Sequence, residues 1–232
     1  MSEYTQAIKL NPTYAHSLTN RGAAYDQQRD FERALADCNL AILLDPKDAT
    51  AHVKRGDIHS SLGNYSDAIA DYDCAARVDP GHAEAWYKLG NTYCEINRRE
   101  KALEGYTQAL MVNPEFVSAY NSRGSLRAVM GDFEGALEDF DRAIEFAPND
   151  AQAYFNRGAT RAHLGCLEES QTDFKQVIGL EPGNRVAYRN LGLTFAEQGL
   201  FAMALAYLEK SAELGDLKGQ MFVCEIRNLV GS

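Results

Sequence analysis

Basic charge, proline and paired cysteine are all scarce in this chain. Lys and Arg number 23 against 33 Asp and Glu, which leaves a net charge of −10. Gathering phosphate backbones needs a basic face, so no nucleic-acid partner is expected, and anionic membranes are disfavoured too. No apolar run approaches the roughly 20 residues that span a bilayer, so no membrane insertion is expected. The first residues, Met1 to Gln6, lack a basic stretch followed by an apolar one, and no secretory leader is read there. The five cysteines (Cys38, Cys74, Cys94, Cys166 and Cys224) are an odd set without a C-x-x-C pair. They read as free thiols in a reducing compartment, so the expected location is cytoplasmic.

Chemistry-bearing motifs are missing as well. The sequence holds no phosphate-cradling G-x-x-x-x-G-K-[ST], no G-x-S-x-G elbow and no H-E-x-x-H. Its five histidines (His16, His52, His59, His82 and His163) are scattered, with no i,i+4 pair to hold zinc. Asp71 and Asp73 form a D-x-D string, but mid-helix they point apart. The expectation is therefore a protein that is not an enzyme and carries no metal and no cofactor. What is present is ordinary, with 45% hydrophobic and 24% charged residues in 232, enough to bury a core.

The few prolines carry the organisation. All six (Pro12, Pro46, Pro80, Pro114, Pro148 and Pro182) fall 34 residues apart. Six glycines (Gly22, Gly56, Gly90, Gly124, Gly158 and Gly192) keep the same interval. Each unit reads as two helices. The first carries a large residue at its fourth position, Leu18, His52, Trp86, Tyr120, Tyr154 or Tyr188, and the glycine follows one helical turn later on the same face. Glycine costs up to about 1 kcal/mol inside a helix, so its recurrence there implies a close helix contact. A break follows, often at glycine (Gly63, Gly131, Gly165, Gly199). The second helix places Ala34, Ala68, Ala102 and Ala136 at the crossing, with Cys38, Tyr72, Tyr106 and Phe140 a turn further on. Proline then ends it.

In these residues the chain resembles the tetratricopeptide repeat family. Six full units run over residues 15–48, 49–82, 83–116, 117–150, 151–184 and 185–218. The resemblance implies an all-α fold, a right-handed α-solenoid of antiparallel helix pairs, with a concave groove lined mainly by first helices. The pattern loosens late, where Ser170 and Ser211 replace small apolar residues and Asp216 replaces the proline. Residues 1–14 read as the second helix of an incomplete leading repeat, with Tyr4, Ala7 and Leu10 in register. A chain cut from a longer array, or one that begins abruptly at a repeat boundary, would look this way. Residues 219–232 read as a capping helix, because Ile226 occupies the glycine slot and blocks another helix.

Comparing units with one another exposes a further correlation. Arg21, Arg55, Arg123 and Arg157 precede the glycine in four repeats, and those same four carry Asp37, Asp71, Asp139 and Asp173 at the twenty-third position. The other two have Leu89 and Leu191, with Gly105 and Tyr207 at the later position. Structural ion pairs are expected, within a repeat or between neighbours, since a planar guanidinium grips a carboxylate bidentately.

The resemblance also implies which residues face the groove. Candidates are Asn20, Lys54, Tyr87, Lys88, Asn91, Asn121, Phe155, Asn156, Arg189 and Asn190. Tyr87 and Phe155 are the expected anchors, because aromatics dominate interface hot spots. No three consecutive repeats supply the Lys, Asn and Arg set of the chaperone-tail carboxylate clamp. An asparagine ladder like that of the O-linked sugar transferase array is partial, since Lys54, Lys88 and Ser122 interrupt Asn20, Asn156 and Asn190. The expected function is a non-catalytic scaffold whose groove binds a peptide segment of a protein partner. The alternatives are a homo-oligomer assembling through its open N-terminal end, or the non-catalytic arm of a larger protein.

Overall fold

The computed structural model describes residues 14–230. The helix expected over residues 1–14, and the open end attributed to it, lie outside the described residues apart from Tyr14. Thirteen helices are found among the described residues. In chain order they are α1 (Ala15–Gln27), α2 (Phe31–Leu44), α3 (Ala49–Ser61), α4 (Tyr65–Val78), α5 (Ala83–Glu95) and α6 (Arg99–Val112), then α7 (Val117–Met130), α8 (Phe133–Phe146), α9 (Ala151–His163), α10 (Leu167–Leu180), α11 (Arg185–Glu197), α12 (Phe201–Glu213) and α13 (Leu217–Val230). None is long and apolar enough to cross a membrane.

Local chemistry sets the helix ends. Several first helices open on a polar cap: Asp48 accepts from the Thr50 amide at 2.9 Å, and Asp150 accepts from Gln152 at 3.0 Å. These bonds satisfy amides that have no partner inside the helix. Between the two helices of each hairpin one residue turns left-handed. At four of these turns it is glycine (Gly63, Gly131, Gly165, Gly199), but Arg29 (φ 60°) and Asn97 (φ 56°) hold the same place in the first and third repeats. Asparagine tolerates that region, whereas arginine bears the Cβ penalty.

The chain divides into two compact units, Met1–Ala119 and Tyr120–Ser232. In the first, Val53, Ala68, Tyr72, Ala75, Ala85 and Leu89 form a core in which Trp86 and Tyr93 are half-buried. In the second, Phe174, Leu191, Phe195, Leu208, Val223 and Ile226 form another. The crossing alanines Ala34, Ala68, Ala102 and Ala136 are all fully buried. Opposite them the slot glycines admit no side chain. A Cβ on Gly56 would stand 2.7 Å from the Tyr72 ring, and one on Gly124 would stand 2.8 Å from Phe140. In the third repeat the backbones themselves come close, since a Cβ on Gly105 would meet the Gly90 backbone nitrogen at 2.8 Å.

The last helix departs from its expected start. It starts at Leu217, two residues early, because Asp216 lies just ahead of it and accepts from the Lys218 amide at 3.2 Å. Ile226 is buried in the second core.

Candidate functional site

The arginine–aspartate set comes together within single repeats. Arg21 grips Asp37 through Nε (2.6 Å) and Nη2 (2.7 Å). Arg55 does the same to Asp71, Arg123 to Asp139 and Arg157 to Asp173, each with a shortest contact of 2.6 Å. Two of these arginines also reach the preceding repeat: Arg55 Nη1 donates to Asn39 at 2.8 Å, and Arg157 Nη1 to Asp141 at 2.6 Å. All four aspartates are buried. A lone carboxylate would not be tolerated there, so the guanidinium is a condition of its burial.

A second layer of this lattice was readable in the sequence but not anticipated. One turn after the paired arginine, Arg127 donates to Asp139 at 3.0 Å and Arg161 to Asp173 at 2.7 Å. In the second repeat His59 holds this place, 4.0 Å from Asp71. His52 also lies beside Asp71, with Nδ1 3.6 Å away, and the carboxylate raises its pKa above the usual value. Burial pushes Asp71 upward, but His52 and Arg55 outweigh it and hold its carboxyl below the usual range. The departures near the C-terminus form one network as well. Arg189 Nη1 donates to Asp216 at 2.8 Å, and Ser211 Oγ lies 2.9 Å from the same carboxylate. Ser170 donates to the Gly158 carbonyl at 2.8 Å, completing an otherwise buried crossing.

In the first unit, residues of α1, α3, α4 and α5 border a cavity of about 550 Å³. Lys88 and Asn91 line it, together with Asp26, Asp57, Ser60 and Glu95. Lys88 Nζ sits 2.9 Å from Asp57 Oδ1, and the Tyr72 hydroxyl donates to the same oxygen at 2.8 Å. Burial pulls the Lys88 pKa down, but the carboxylates of Asp57 and Glu84 more than offset it. Lys54 is 3.7 Å from the other Asp57 oxygen. Asn91 accepts from the Tyr106 hydroxyl at 2.8 Å. Tyr87 is tilted against Phe116, with centroids 5.0 Å apart, and Asn20 is half-buried on α1.

In the second unit a cavity of about 470 Å³ is lined by Phe155, Gln152, Asp150, Glu181, Asn184 and Val186. Phe155 meets Phe174 edge-on at 5.7 Å and also abuts both neighbouring cores. Asn156 accepts from Gln152 at 2.7 Å and donates to Ser125 at 3.2 Å. Asn121 donates to Asp150 at 2.6 Å. Arg189 is drawn to Asp216, and Asn190 is half-buried. Asn121, Phe155 and Arg189 are thus engaged within the protein itself.

Among the described residues no three His, Cys, Asp or Glu side chains are placed to hold a metal ion. Cys38 is buried, which pushes its thiol up to about 12, so it is a packing residue and not a nucleophile.

A tetratricopeptide repeat model matches residues 22–88 and 89–154, and a second such model matches residues 3–36 and 140–172. No curated protein matches the chain. Among solved structures, MamA is 27% identical, with 71% of this chain and 96% of that one covered at a TM-score of 0.66. YrrB, described as a TPR protein with an unusual peptide-binding site, is 26% identical and covered over 79% of this chain and 95% of its own (TM-score 0.63). Pseudomonas aeruginosa pilF, at 18% identity, shares the fold over 91% of this chain and 97% of its own (TM-score 0.78). Matches over more than half the sequence, on helix pairs repeating every 34 residues, show that the chain belongs to the tetratricopeptide repeat family, with its all-α solenoid fold.

Proposed function

We propose that this protein is a non-catalytic interaction scaffold, and that it holds an extended peptide segment of a partner protein along its first helices. The supporting observation is the cavity of about 550 Å³ bordered by α1, α3, α4 and α5, whose lining is polar and side-chain rich. Clefts of this size with a few convergent polar groups are where proteins take ligands. YrrB, of similar sequence and fold, is described as having a peptide-binding site, which favours a peptide over a small molecule. Phe155 and Val186 supply apolar surface to the second unit's own cavity.

The test is selection of linear peptides from a random displayed library on the immobilised full chain, followed by amide NMR titration with a selected peptide. Shifts concentrated on α3, α5 and α9 support the proposal. Shifts confined to the second helices α2, α4 and α10 would move the interface to the other face, and an empty selection would remove the peptide reading.

A further inference from the structure

In the second repeat two histidines stand where the fourth and fifth repeats carry groups that do not titrate near neutral pH. The fourth residue of the first helix is Tyr120 or Tyr154 in those repeats, and His52 here. One turn beyond the paired arginine they carry Arg127 and Arg161, and this repeat carries His59. His52 is buried, and each of its ring nitrogens faces an oxygen that can only accept. Nε2 lies 3.2 Å from the Pro46 carbonyl, in the turn between α2 and α3. Nδ1 lies 3.6 Å from Asp71 Oδ1 on α4 and has no hydrogen-bond partner among the described residues. A neutral imidazole carries one N–H, so either tautomer sets a lone pair against an oxygen. The imidazolium is a donor at both nitrogens and suits both oxygens. From the other side His59 Nε2 lies 4.0 Å from Asp71 Oδ2. The charged groups acting on the His52 ring are Asp71 from α4 and Arg55 from α3, and α2 joins the cluster through neutral Asn39, which accepts from Arg55 at 2.8 Å.

We propose that His52 is a proton-operated clasp of the second repeat, its imidazolium tying α3 to the turn before it and to Asp71 of α4. The folded chain binds this proton more tightly than the unfolded one, because Asp71 holds the ring above its usual value against burial and the Arg55 charge. The clasp is therefore closed below the unfolded value of about pH 6.5 and opens as pH rises through the higher folded value. Asp71 is not left unpaired when it opens, since Arg55 keeps its grip through Nε and Nη2. The loss is local, confined to the hold between the turn, α3 and α4, because in a repeat array each unit packs on its neighbours alone. Helix α3 also carries Asp57, Ser60 and Ser61, so the part that loosens is one wall of the first unit's cavity. The fifth repeat has no such dependence, since Tyr154 lies against Arg157 and Arg161 keeps its charge.

The test uses the full chain. Ring-nitrogen NMR follows the protonation of His52, and hydrogen exchange, expressed as protection over the unfolded rate at each pH, follows local opening. His52 is expected to carry protons on both nitrogens at about pH 6.5 and to titrate at a higher pH than a free histidine. Protection over α3 is expected to fall about fivefold more than protection over α9 as pH rises from about 6 to about 8.5, short of the roughly tenfold scale of a well-placed charged hydrogen bond. His52→Tyr, which installs the side chain of the fourth and fifth repeats, is expected to make the two helices respond alike. The ring measurement needs no variant, so it decides the matter even if that chain fails to fold. A His52 ring that is mostly neutral at about pH 6.5, or a loss of protection equal over α3 and α9, overturns the clasp. A loss over α3 that persists unchanged in His52→Tyr overturns it as well.

Discussion

The fifth repeat offers the sharpest test of how the buried charge lattice is held. Asp173 is 1% exposed and receives Arg157 through two contacts and Arg161 through a third, at 2.7 Å. The two arginines share one carboxylate, so the three removals are unequal. Losing Arg161 leaves Asp173 with its bidentate partner and should cost about 1.5 kcal/mol, the low end for a hydrogen bond to a charged group. Losing Arg157 leaves a buried aspartate on a single-point contact and strips the link to Asp141, so about 2 kcal/mol is expected. Replacing Asp173 by Asn strands Arg161 and half-strands Arg157. Breaking a buried pair costs 3–5 kcal/mol, but both guanidiniums keep some water, which lowers the expectation to about 3 kcal/mol. The assay is urea unfolding followed by circular dichroism, with hydrogen exchange over residues 151–180 to localise the loss. A cycle of Arg157→Met with Asp173→Asn should return a coupling of about 1–2 kcal/mol. Three equal losses, or a coupling indistinguishable from zero, would refute a carboxylate whose burial depends on shared arginines.

Other consequences follow from single positions. Arg29→Gly relieves a left-handed non-glycine residue and should stabilise the chain by about 1 kcal/mol, read as a higher urea midpoint. Gly105→Ala drives a Cβ to within 2.8 Å of the Gly90 backbone and should destabilise by about 1–3 kcal/mol despite alanine's better helix propensity. Protonated His52 is favoured by Asp71, so its folded pKa exceeds the unfolded value of about 6.5 and the native state holds the extra proton. The stability it contributes is therefore full below about pH 6.5 and is lost as pH rises through the folded value. His52→Tyr should flatten that decline in a series of melts at rising pH.

How far the sequence reached differs from residue to residue. Helix pairs, turns and slot glycines were legible because helical packing is periodic. A residue's place in the 34-residue unit decides its face, and six copies of one unit repeat the message. The Arg–Asp correlation was visible for the same reason, since both partners occupy fixed places in every copy. Its partnering within single repeats required the fold, as did the links from Arg55 to Asn39 and from Arg157 to Asp141.

Residues that break the pattern carried no such information. Ser211 and Asp216 read as loosening, and only the tertiary structure joined them to Arg189, which the family resemblance had assigned to the groove. Asn121 and Phe155, likewise expected in the groove, engage Asp150 and Phe174. The sequence by itself therefore determined the architecture, because apolar periodicity and glycine spacing are local and repeated. Which polar groups are spent internally, and on which partners, was decided only by tertiary structure. Long side chains choose among partners on other helices, 16 to 29 residues away, by distances that no periodicity encodes.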